Sequence, residues 1–109
     1  MASKTVRVLA RITARPDKIE ELTSILRSLV RETRKESGCI SYQLLQNKAE
    51  PGDFTFVEEW ESDSAIDTHF IMAHVQTLFL RLHRYSRKNP IYADMTLLNK
   101  AGRRSRQEE

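Results

Sequence analysis

The stretch CISYQLLQNKAEPGDFTFVEEW, Cys39 to Trp60, decides how the rest of the chain is read. CISYQLLQ and DFTFVEEW are two strand-like runs, and NKAEPGD between them carries the turn signal Pro51-Gly52. Together they predict an antiparallel hairpin with a loop longer than the tight two-residue type. Upstream, residues 5 to 14 alternate at period two through Val6, Val8, Ala10 and Ile12, as a strand does. Pro16 then stands where a first helical residue belongs, with Asp17, Glu20 and Glu21 in the opening turn. Ile19, Leu22, Leu26, Leu29 and Thr33 form one apolar stripe, and Gly38 suits a helix stop. Downstream, Ser62 or Ser64 can cap a helical region in two pieces. The first is Ala65 to Phe70; the second runs through Val75, Leu78, Phe79, Leu82 and Tyr85. Asn89-Pro90 ends it, and IYADMTLL is the fourth strand. The order is β-α-β-β-α-β, an α+β arrangement of the ferredoxin-like kind.

Global properties exclude several classes. The chain has 109 residues, 39% hydrophobic and 30% charged, which suits one soluble globular domain. No apolar run approaches the ~20 residues of a membrane span. A single cysteine, Cys39, rules out an intrachain disulfide and suits a reducing cytoplasm. The Arg-rich, acid-free start MASKTVRVLARITARP also fits a transit peptide, but its alternation reads as the first strand. Of the formal net charge of +3, the last ten residues, KAGRRSRQEE, supply +2. The expected organisation is therefore a domain over residues 1–98 and a basic, flexible tail over 99–109.

Helices of such a domain cover one sheet face. The other would show Arg7, Leu9, Arg11, Thr13, Thr55, Val57, Glu59 and Glu61, joined by Leu45 and by Leu97 or Leu98. That mixture is too apolar to face water alone, so a homodimer through this face is expected. RNA-recognition domains share the element order, and GDFTFVEE partly matches their third-strand motif. Val6 to Ile12 offers no aromatic for base stacking, however, and Glu58, Glu59 and Glu61 would oppose a phosphate backbone. Nucleic-acid binding is not expected.

Familiar catalytic motifs are absent. Gly38, Gly52 and Gly102 are too scattered for a phosphate loop. His69 and His74 are five apart, about 140° from each other on a continuous helix, so a metal site is not expected. Cys39 reads as a small core residue. What remains is a wall: Trp60 shares a strand face with Phe54, Phe56 and Glu58, and Ile66, His69, Phe70 and Ala73 form the inward stripe of the next helix. Glu58, Trp60 and His69 are its polar-capable members, and Tyr42 can join from the second strand.

The run ITARPDKIEELTSILRSLVRETRKESGCISYQLLQN, continued by FTFVEEWESDSAIDTHFIMAHVQTLF, resembles the antibiotic biosynthesis monooxygenase (ABM) family. The carriers are the helix with its proline start, ESGCISY at Glu36 to Tyr42, EEWES at Glu58 to Ser62, Ala65, His69 and His74. The resemblance covers roughly residues 6 to 98. It implies a dimeric α+β barrel with a pocket between sheet and helices and the last strand against the partner subunit. It implies a quinol-monooxygenase-like oxidoreductase acting on a small aromatic hydroxy compound without metal, flavin or other cofactor. His69, Trp60 and His74 are then the catalytic candidates, with Tyr42, Phe56, Glu58, Phe70 and Phe79 as substrate-binding candidates. An imidazole takes the substrate proton near neutral pH, and the Trp60 N–H faces the developing oxyanion. Haem degradation is not implied, because Ala10 or Arg11 and Leu78 or Phe79 stand where that branch has asparagine and histidine. Phe56 stands in the region where the polyketide-oxidising branch has asparagine. Isomerisation or cleavage of a small carbonyl compound or signal molecule, and plain ligand binding, are the alternatives.

Overall fold

In the computed structural model, which describes residues 5–85 and 96–99, one antiparallel sheet carries all helices on a single face. Strand β1, Val6–Thr13, leads through a single 3-10 turn at Pro16–Lys18 into helix α1, Ile19–Thr33. Strands β2, Cys39–Gln46, and β3, Asp53–Trp60, form the expected hairpin. Helices α2, Asp63–Phe70, and α3, Ala73–Tyr85, follow, and β4, Thr96–Asn99, closes the fold. The strand order β2-β3-β1-β4 is that of an α+β, ferredoxin-like domain. No helix among the described residues is long and apolar enough to cross a membrane.

Period two governs the sheet. Val6, Val8, Ala10 and Ile12 are buried while Arg7, Leu9 and Arg11 are exposed. On β3, Phe54, Phe56, Glu58 and Trp60 are buried in the same way. Register places Val8 opposite Glu58 and Ala10 opposite Phe56, so small side chains on β1 leave room beside large ones on β3. Leu22, Leu26, Leu29 and Val30 of α1 cover this face together with Val75, Leu78 and Leu82 of α3. On β2 the pairing slips between Cys39 and Ser41, leaving Ile40 as an extra residue. This bulge puts Cys39 and Tyr42 opposite the inward residues Trp60 and Glu58, although they lie three apart.

Several expectations need correction. Gly38 does not stop α1, which ends at Thr33 with Arg34 as its cap. It instead lets β2 approach α2: a Cβ there would lie 2.5 Å from the Ala65 Cβ. Gly38→Ala is therefore expected to cost about 1–3 kcal/mol through overpacking, read as a melting temperature lowered by several degrees. Ala65→Gly in the same chain should recover most of that loss, and no recovery would show that the crowding lies elsewhere. Ser62, not Ser64, is the cap of α2, its Oγ accepting from the Ala65 N–H at 3.1 Å. Glu61 lies beyond β3, which ends at Trp60, although its N–H still donates to the Gly38 carbonyl. Ala73 is exposed rather than inward. Asn99, placed above in the tail, is paired with Val6 in β4. Residues 91–95 of the predicted fourth strand and 100–109 of the tail lie outside the described residues.

The outer sheet face carries Leu9, Leu45 and Ile40, 37%, 52% and 47% exposed. Leu98, rather than Leu97, pairs opposite the outward residue Arg7.

Candidate functional site

The candidate site grows from the helical side of the sheet. At the end of β3, Glu58 and Trp60 are two residues apart and point the same way. The Trp60 Nε1–H donates to Glu58 Oε1 at 2.8 Å, and both side chains are buried. The indole N–H expected to face an oxyanion is thus engaged by a neighbour. Burial drives the Glu58 carboxyl up to about 7; the Trp60 N–H opposes this and the Glu36 charge adds to it. Glu58 is thereby a carboxyl poised to hold a proton near neutrality.

His69 comes down from α2. Its ring centroid lies 4.6 Å from that of Trp60 and 5.7 Å from that of Tyr42. Its Nδ1 is 2.8 Å from Glu36 Oε2, and the same oxygen is 2.7 Å from His74 Nε2. Glu36 sits in the turn between α1 and β2, held by its N–H to the Thr33 carbonyl and by its carbonyl accepting from Cys39. A carboxylate only accepts hydrogen bonds, so with Glu36 ionised both imidazole nitrogens donate. The network thus assigns the proton of a neutral His69 to Nδ1 and leaves Nε2 with a free lone pair. Burial holds the His69 imidazole below its ordinary range, though Glu36 pulls it upward and His74 pushes it down. It is neutral and basic at pH 7, with a carboxylate behind it to stabilise the protonated form.

The meeting of the two histidines depends on a break. At Ile71 and Met72 the helix stops: Ile71 and Met72 donate to the Thr68 and His69 carbonyls, and Met72 starts the ladder of α3. Gln76 Nε2 caps the Phe70 carbonyl across the break. A continuous helix would have turned His69 and His74 apart; the redirected α3 brings both to Glu36. That residue is the one the sequence reasoning passed over as a site candidate.

Of the candidates, Tyr42, Phe56, Glu58, His69, Phe70 and Phe79 line one cavity between sheet and helices. Trp60 backs it through Glu58 and His69. The space is about 10 Å3, which is room for about one water molecule. Phe70 and Phe79, stacked at 6.1 Å, are its partly exposed lining residues and form its rim. His74 lines a different space, a groove of about 320 Å3 between α1 and α3 that also touches Ser28, Thr77 and Arg81. Leu29 and Leu78 belong to both walls and separate cavity from groove. Tyr42 is pushed well above its ordinary range, first by burial and then by Glu58, and so keeps its hydroxyl proton. Burial, Glu36 and Glu58 push the Cys39 thiol up to about 11, which removes it as a nucleophile.

Comparison with known proteins bears on the fold and the family. Residues 5–88 match the antibiotic biosynthesis monooxygenase family. An uncharacterised Synechocystis protein, sll1783, is 33% identical over 89 residues, 82% of this chain and 56% of its own length. Rv0793 of Mycobacterium tuberculosis, which carries a provisional monooxygenase name, is 38% identical over 64 residues, 59% of this chain and 62% of its own. Its solved structure superposes with a TM-score of 0.78 at 29% identity, covering 86% of this chain and 92% of that one. A conserved protein of Methanosarcina mazei superposes with a TM-score of 0.80 at 30% identity, covering 90% and 94%. In sequence, the matched stretch spans 56% of the length of the Synechocystis relative and 62% of that of Rv0793.

Proposed function

Because the chain belongs to the antibiotic biosynthesis monooxygenase family, we propose that it oxidises a small phenol or quinol with molecular oxygen in the cavity under His69. The observation that carries this reading is the Glu36–His69 pair, which leaves Nε2 of a neutral, buried imidazole free to act as base. His69 takes the hydroxyl proton, and the resulting phenolate is electron-rich enough to react with oxygen. Conversion of a phenol to a quinone consumes one O2, placing one oxygen atom in the product and the other in water. The substrate supplies all four electrons, so the balance needs no external reductant. Glu58, a carboxyl near 7, gives a proton to the departing oxygen. Phe70 and Phe79 swing outward to admit the ring, since the closed cavity holds only about one water.

Oxygen uptake with a panel of phenols and quinols tests this. Uptake above the autoxidation rate is expected; a rate equal to it for every compound overturns the reading. A second reading draws on the small cavity and the same base and acid. In it, His69 and Glu58 shuttle a proton on a small carbonyl compound, seen as solvent-deuterium incorporation without oxygen uptake. We further propose a cytoplasmic homodimer joined through the outer sheet face, where Leu9 and Leu45 would be covered. Sedimentation at micromolar concentration should give twice the chain mass, and a compact monomer would rule the dimer out.

A further inference from the structure

Glu36, His69 and His74 bring three potential ligand atoms together from three segments: the turn after α1, helix α2 and the first turn of α3. We propose that this cluster is a binding site for a divalent first-row transition-metal ion of the Zn2+ class. One carboxylate oxygen and two imidazole nitrogens are the borderline donor set such ions prefer. The three atoms lie within 4.8 Å of one another, and the Glu36 oxygen is 2.8 and 2.7 Å from the two nitrogens. Ligand atoms around a tetrahedral zinc, each ~2.0–2.1 Å from it, sit roughly 3.4 Å apart. Opening the two short contacts by less than about 1 Å, and drawing the two nitrogens in from within 4.8 Å toward the same spacing, makes room for the ion.

Burial sharpens the argument. The side chains of Glu36 and His69 are 7% and 4% exposed, so their donor atoms have little water to turn to. Two N–H protons now hold one oxygen, and a cation at the same spot does the same work with full coordination bonds. His74, 22% exposed, also lines the groove between α1 and α3, which gives the ion an entry path and room for a fourth, exogenous ligand. Three protein ligands with one open position form a zinc set of the catalytic kind rather than a closed structural one. The site also has a consequence for the base. A metal on Nδ1 of His69 moves that ring's proton to Nε2 and removes the lone pair used above. Metal binding itself does not rest on the oxygenase reading, and it is measured without any turnover.

Metal-depleted protein is titrated with ZnCl2 by calorimetry and with CoCl2 by visible absorption. About one equivalent per chain should bind, with the d–d bands of a low-coordinate cobalt site. His74→Ala and Glu36→Gln should each weaken binding at least ~10-fold, and zinc should raise the melting temperature of wild type but not of His74→Ala. Replacing His83, the remaining histidine in the sequence, by alanine should change nothing. Should Glu36→Gln fail to fold, the partly exposed His74→Ala carries the test alone. The proposal is overturned if wild type takes up well under one equivalent, or if His74→Ala binds as wild type does.

Discussion

Replacing His69 by alanine is expected to lower oxygen-dependent turnover by about 10²–10⁴-fold, the range for loss of a general base. The melting temperature should fall only moderately, because one ring is lost from a wall that Trp60, Tyr42 and Phe56 still fill. Glu36→Gln is the sharper test, since Glu36 reaches the substrate only through His69. The Glu36 carboxylate raises both His69 and Glu58, so its removal should move the acid and alkaline limbs of the rate profile to lower pH together. In wild type the acid limb reports protonation of His69 and lies below the ordinary imidazole value of 6.5, while the alkaline limb reports loss of the Glu58 proton near 7. A purely structural Glu36 would reduce the amount of folded enzyme and leave both limbs in place. An unchanged profile in Glu36→Gln would therefore remove it from the mechanism, and an active His69→Ala would remove the base.

The sheet and the helical cover were legible in the sequence because their burial follows simple periods. Val6 to Ile12 and Phe54 to Trp60 alternate, and Leu22, Leu26 and Leu29 recur at helical spacing. Glu58, Trp60 and His69 could also be placed on one wall, since a helix leaving a strand folds back over it. Three features escaped for definite physical reasons. Ile40 is an extra residue within a strand, and a bulge looks like any other β-branched position until the partner strand is known. Gly38 resembles a helix stop, yet its reason lies 27 positions away in Ala65, a contact no local pattern announces. Glu36 in a charged turn, RKES, looks like a solvated residue. Its side chain is buried where it meets His69 of α2 and His74 of α3, and the redirection at Ile71 and Met72 that brings them together has no proline or glycine to signal its geometry. The 140° separation that argued against a metal site at His69 and His74 holds only for one continuous helix, and the break between α2 and α3 sets it aside.

Glu58→Gln is expected to stabilise the protein at neutral and alkaline pH and to do little in acid. The folded-state value of Glu58 is raised from 4.5 to about 7, so the fold favours the protonated carboxyl. Stability from this preference is complete below about 4.5 and is lost as pH rises through 7. At ~1.36 kcal/mol for each tenfold change in proton affinity, the loss reaches roughly 3 kcal/mol above pH 8. Glutamine carries no charge at any pH and still offers an oxygen to the Trp60 N–H. The stability difference between variant and wild type should therefore grow from near zero at pH 4.5 to its full value at pH 8, measured by denaturant unfolding across the range. His69 works in the opposite direction, since its lowered value costs stability as pH falls below 6.5, but it is present in both proteins and cancels in the difference. A difference that does not vary with pH would mean that the Glu58 carboxyl ionises freely. The companion measurement is turnover. Glutamine cannot donate an acidic proton, so the variant should gain stability and lose oxygen uptake together, the mark of a residue kept at a cost to the fold for the sake of chemistry. A variant that is both more stable and fully active would leave the buried carboxyl without a catalytic role and pass the proton donation to another group.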